Sequence, residues 1–77
     1  MSRVAIYTDV HGAGFRALAY KWPLPEEYGH TRKEAVEKLM PMVLEEARRL
    51  RAQGRPLPAA DDALPPGTRG ELEFFAV

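Results

Sequence analysis

From Thr31 to Gly54 the chain keeps one strong rhythm. Apolar residues recur at Val36, Met40, Val43, Ala47 and Leu50, in steps of four and three that return to one face of a helix. Leu39 and Leu44 widen the stripe, and the opposite face is Glu, Lys and Arg. Thr31 stands three residues before Glu34, the spacing of a capping box. Gly54 suits the left-handed residue that ends a helix, and Pro56 forbids a restart. Pro41 falls inside the pattern. It lacks an N–H and crowds the Glu37 carbonyl, at a cost of about 3 kcal/mol. Burying Val36, Leu39, Met40, Val43, Leu44 and Leu50 is worth roughly 1.5–3 kcal/mol each. Packing wins, so the pattern predicts one helix, kinked between Glu37 and Pro41.

The rest of the chain reads in twos. Arg3 to Thr8 alternates, with Val4 and Ile6 on one side and Ala5 and Tyr7 on the other, which predicts a strand. Asp9 to Gly14 reads as a turn, because Gly12 and Gly14 supply positive φ. Phe15 to Tyr20 alternates again and completes a hairpin. Trp22-Pro23-Leu24-Pro25 breaks the pattern. Glu26 to His30 has room for a short edge strand before the helix. After the helix, Arg55 to Gly70 is rich in proline and glycine and reads as a stiff crossover, with room for one short turn from Ala60 to Leu64. Glu71 to Val77 closes the chain as a strand. The expected class is α+β in the order β-β-(short β)-α-β: one kinked helix on a mostly antiparallel sheet. The strand–helix–strand crossover predicts a last strand parallel to strand one. One helix covers only one face of a sheet. The other face, carrying some of Tyr7, Leu18, Tyr20, Phe75 and Val77, is expected to be partly apolar and bare, which favours a dimer or higher homo-oligomer.

Composition narrows the class of protein. Seventy-seven residues make one domain, 1–77, and bury only about 60% of their extended surface. Eleven basic and eleven acidic residues leave no net charge, which speaks against a general nucleic-acid or membrane binder. With no cysteine, disulfides and thiolate metal sites are excluded. No apolar run approaches the roughly 20 residues of a membrane span, and no signal pattern opens the chain, so a cytoplasmic location is expected. The absence of asparagine, the single glutamine and the seven prolines give a thermophile-like composition.

Four features together resemble the HicB family, the antitoxin half of HicA–HicB toxin–antitoxin pairs. They are the first strand with its glycine turn and aromatic (Gly12, Gly14, Phe15) and the segment Trp22-Pro23-Leu24-Pro25, near the family's Pro-x-Leu-Pro-Gly. The others are Gly29-x-Thr31-x-x-Glu34-Ala35 at the helix start and Gly54-x-Pro56-x-Pro58 after it. The match spans nearly the whole chain. Glu26 stands where the family usually has glycine, and Pro41 interrupts a helix that is normally continuous. The resemblance implies a partial ribonuclease H-like fold with strand order 3-2-1-4. It implies a non-enzymatic module that binds and neutralises a HicA-type mRNA interferase. Family members that repress their own operon add a DNA-binding domain; this chain ends at Val77, so no direct DNA binding is expected.

Candidate chemistry is sparse, and no cofactor is implied. A ribonuclease H-like fold directs attention to Asp9 and Glu34, joined by Glu71 or Glu73, because two-metal hydrolysis needs converging acids. Each has a plainer role: Asp9 in its turn, Glu34 in the cap, the other two on a solvated strand face. His11 and His30 lack a ligand at metal spacing. Ser2 is the only serine, so no catalytic triad is available. Arg48, Arg49, Arg51 and Arg55 complement the helix carboxyl end, with Glu45 placed to pair with Arg49. They also form a candidate patch for a partner. The alternatives to an antitoxin are a small metal-dependent nuclease or hydrolase, and a homo-oligomeric adaptor.

Overall fold

The computed structural model describes residues 2–60 and 69–77. Their order is β1 (Arg3–His11), β2 (Gly14–Ala19), β3 (Glu27–Gly29), α1 (Arg32–Ala52) and β4 (Glu71–Ala76). The strands form one sheet in the order β3-β2-β1-β4, antiparallel throughout, with α1 packed on one face. Among the described residues no helix is long and apolar enough to cross a membrane. The short turn expected from Ala60 to Leu64 falls at 61–64 outside the described residues.

The hairpin is tighter than its sequence suggests. His11 pairs with Gly14, leaving only Gly12 and Ala13 in the loop, and Gly12 has φ 58°. Glycine belongs at the first position of such a two-residue loop because only that residue turns through positive φ cheaply. Asp9 is consequently a strand residue opposite Arg16, not a turn residue. A second turn follows β2, where the Trp22 N–H donates to the Ala19 carbonyl at 3.0 Å. It puts Lys21 at φ 70°, a costly conformation for a side chain with a Cβ. The turn delivers the Trp22 indole into the core, where it is buried; Leu24 and Met42 pack against the same core.

The joint between β3 and α1 uses every residue of the Gly29-to-Ala35 motif. The Thr31 hydroxyl accepts the Glu34 N–H at 3.0 Å and caps the helix. The Glu34 carboxylate faces Lys38 at 3.4 Å, one turn on. Gly29 lies so close to the first turn that a Cβ there would stand 2.6 Å from the Ala35 nitrogen. Ala35 is fully buried beneath. At the other end Gly54 takes φ 68°, and the Arg55 N–H returns to the Leu50 carbonyl at 2.9 Å.

The core lies between α1 and the sheet face of Val4, Ile6, Thr8, Ala17 and Ala19. From the helix come Ala35, Val36, Leu39, Val43, Ala47 and Leu50, with Met40 at the margin. Leu44, expected on the buried stripe, is 51% exposed, because α1 lies chiefly over β2 and β3 rather than over the middle of the sheet. The helix passes unbroken through Pro41, which sits on its exposed side.

The last strand is antiparallel to β1, not parallel as expected: Arg3 pairs with Ala76 and Thr8 with Glu71. The helix ends beside the start of β1, since Arg51 Nη2 donates to the Val77 carbonyl oxygen at 2.6 Å and the Val77 N–H donates to Ser2. A parallel strand would begin there. β4 instead begins at the far end, where Glu71 lies opposite Thr8, eighteen residues after α1 ends. At about 3.3 Å per residue, a linker of that length can span the roughly 20 Å of a six-residue strand. The crossover rule governs compact strand–helix–strand units, and this connection is too long to be bound by it.

Two stability predictions follow from the core and the joint. Thr8 is fully buried, and its hydroxyl has no hydrogen-bond partner among the described residues. Thr8→Val removes that orphan at nearly constant volume and is expected to raise stability by about 1 kcal/mol in chemical denaturation. Gly29→Ala forces the β3–α1 joint apart and is expected to lower it by about 2 kcal/mol. An unchanged midpoint for either variant contradicts its assignment.

Candidate functional site

The sheet face away from α1 is the most distinctive surface. Register decides its membership, since cross-strand partners share a face. Ala5 pairs with Phe74, and Tyr7 with both Leu18 and Leu72. Tyr20 donates its N–H to the Ala5 carbonyl at the lower end of the same face. Tyr7, Leu18 and Tyr20 therefore lie where the alternation predicts. Phe75 and Val77 do not. Phe75 pairs with the buried Val4, and both pack against the core on the helix side. Reversing β4 sets its register so that Leu72 and Phe74 take the places expected for Phe75 and Val77. The face is also less bare than expected: Tyr7 is only 8% exposed and Ala5 1%.

Its two ends have different chemistry. At the lower end cations lie over rings, Arg3 at 4.6 Å from the Phe74 centroid and Lys21 at 5.6 Å from that of Tyr20. At the upper end Arg16 grips Asp9 with two donors, Nε to Oδ1 at 2.9 Å and Nη2 to Oδ2. The Tyr7 hydroxyl adds a longer bond to Asp9 at 3.3 Å. Arg16 also faces Glu26 at 3.6 Å, and Glu26 accepts from the Tyr28 hydroxyl at 2.9 Å. The His11 and Tyr28 rings pack with centroids 4.8 Å apart. The Arg16 hydrogen bonds hold the Asp9 carboxyl below its ordinary range and raise Arg16. The Tyr28 hydroxyl is pushed up by its bond to Glu26.

The remaining candidates separate. His11, His30 and Glu34 meet at one shallow cleft of ≈ 390 Å³ at the start of α1, with Phe15, Tyr28 and Lys38. Asp9 is engaged on the open face instead. Glu71 stands 3.6 Å from Arg32, and Glu73 borders a separate groove beside α1. Among the described residues no group of three or more His, Asp or Glu is arranged to hold a metal ion. The helix-end arginines are largely engaged. Arg48 binds Glu45 and Arg49 binds Glu46, both one turn back at i,i+3, in place of the expected Glu45–Arg49 pair. These contacts lower both carboxyls. Arg51 ties α1 to Val77 and Arg55 completes the helix end through its backbone. The alternation of β1 and β2 signals the open face, whereas the Asp9–Arg16–Glu26–Tyr28 chain depends on cross-strand register and carries no motif.

The ion pair makes a pH prediction. A carboxyl lowered in the folded state stabilises above its unfolded value and loses that contribution as pH falls through the folded one. Asp9→Asn is therefore expected to cost about 1 kcal/mol near neutral pH, the pair being partly exposed. The gap to the parent should close as the pH falls below the ordinary aspartate value of about 3.9 and through the lowered folded one, measured by urea titrations across the acid range. A gap that persists at low pH assigns the loss to something other than the charge. Compared with known proteins, the chain matches no family model, no curated sequence and no solved structure.

Proposed function

We propose that this protein is a HicB-like interaction module that binds and neutralises a HicA-type mRNA interferase without catalysing a reaction itself. The observation that carries the reading is the joint from Gly29 to Ala35 set on a 3-2-1-4 sheet. Gly29, Thr31, Glu34 and Ala35 each have a defined part in that joint, and the strand order is the one the resemblance implies. The antiparallel last strand departs from the expected partial ribonuclease H-like arrangement. Binding is assigned to the open sheet face, which carries cations over aromatic rings at one end and a fixed ion pair at the other and lies opposite α1. Such mixtures suit protein contacts better than a uniformly charged or uniformly apolar surface.

A second reading, a small hydrolase, draws on the cleft where His11, His30 and Glu34 meet. It predicts an activity lost in His30→Ala and untouched by changes on the open face.

Co-expression with an interferase encoded beside it tests the first reading. The expected result is a stable complex and abolished RNA cleavage, with cleavage restored by Leu18→Glu or Leu72→Glu in a folded variant. An interferase that stays fully active and does not bind overturns it.

A further inference from the structure

We infer that the outer edge of β4 is a self-pairing surface: two copies of this chain join β4 to β4 antiparallel, with Phe74 on the two-fold axis. The inference concerns a different surface from the open face and stands independently of the antitoxin reading.

The backbone supplies the first argument. β4 is an edge strand, and among the described residues nothing pairs with its outer side. The Val77 N–H donates to Ser2, so the odd-numbered residues of β4 turn their backbone groups toward β1. Antiparallel ladders alternate, which leaves the N–H and C=O of Leu72, Phe74 and Ala76 pointing outward. Unpaired edges of this kind recruit another strand.

Side-chain register then selects the occupant. With Phe74 on the axis, Leu72 lies opposite Ala76 of the second copy and Glu73 opposite its Phe75. Every outward backbone group finds a partner. Moving the axis to Glu73 sets two Glu73 carboxylates face to face, and moving it to Leu72 sets Glu71 against Glu73. Like charges directly opposite destabilise a pair. Moving it to Phe75 pairs only Phe74, Phe75 and Ala76 of β4. The strand is thus self-complementary in one register.

Charge and shape agree with that register. Glu71 of the second copy, which faces Arg32 of its own chain at 3.6 Å, falls opposite Val77, whose carbonyl oxygen holds Arg51, so each copy brings an exposed acid near a cation of the other. On the helix side, Val36, Met40, Leu44 and Phe75 line a groove of ≈ 670 Å³ that opens along β4. The two Phe75 rings become diagonal neighbours, within aromatic reach, and each closes the groove of the other copy. This accounts for Leu44, a large apolar residue left 51% exposed beside that groove.

Sedimentation of the full chain at micromolar concentration, with three single-cysteine variants, tests the inference. The expected species is a dimer. Ala76→Pro removes one outward donor and leaves the β1 ladder intact, so it should yield a monomer with unchanged circular dichroism. The parent has no cysteine. Phe74→Cys should therefore cross-link the copies on mild oxidation, because a hydrogen-bonded antiparallel pair places its Cα atoms about 5.5 Å apart. Leu72→Cys and Glu73→Cys should remain uncross-linked. A monomeric parent overturns the proposal, as does a folded Ala76→Pro variant that is still dimeric, or cross-linking at position 72 or 73 in place of 74. Should Ala76→Pro fail to fold, the cysteine series decides.

Discussion

A single helix has to cover a sheet of four strands, and it is too narrow to do so. A helix with its side chains is about 10 Å across, whereas neighbouring strands are about 4.8 Å apart. It can shield roughly two strands. The Gly29–Ala35 joint binds its first turn to β3, so the two shielded are mainly β2 and β3. β4 lies beyond the helix's reach, and a groove remains along its inner side. The exposed Leu44, the half-buried Met40 and the free strand edge share that origin.

The uncovered face meets the same shortage of helix differently. Its central residues, Ala5 and Tyr7, are nonetheless buried, and Gly70 lies against the Tyr7 ring. Arg3 and Lys21 place charge over aromatic rings at one end, and the Asp9–Arg16 pair fixes the other. Long cationic side chains can cover apolar surface with their stems while their heads stay in water. A surface of this kind remains soluble in one copy and still offers a partner both apolar area and oriented polar groups.

Local signals made much of the fold legible. Period-two alternation placed β1, β2 and β4, and the 3.6 period placed α1 with its cap at Thr31 and its stop at Gly54. The hairpin loop is shorter than its local signals suggest: Asp9 is a common turn residue, and only pairing across to Arg16 and Phe15 puts Asp9 and Val10 in β1. Of the surface candidates, Tyr7, Leu18 and Tyr20 were legible because β1 and β2 adjoin in sequence. Phe75 and Val77 lie on the face opposite to the one expected, because alternation fixes which residues of β4 share a side, not which side meets the helix.

The sequence by itself determined the elements, their caps and the two-sided character of each strand, because these depend on residues within a few positions of one another. Only the tertiary structure decided the direction of β4, the face shown by Phe75, the company of Asp9 and the offset of α1. Each of those depends on where a long, proline-rich connection brings the chain back, and no local periodicity records the end point of such a path. The direction of β4 had the widest consequence. Running it antiparallel to β1 set Phe74 beside Ala5, turned Phe75 to the groove and laid Val77 against Arg51.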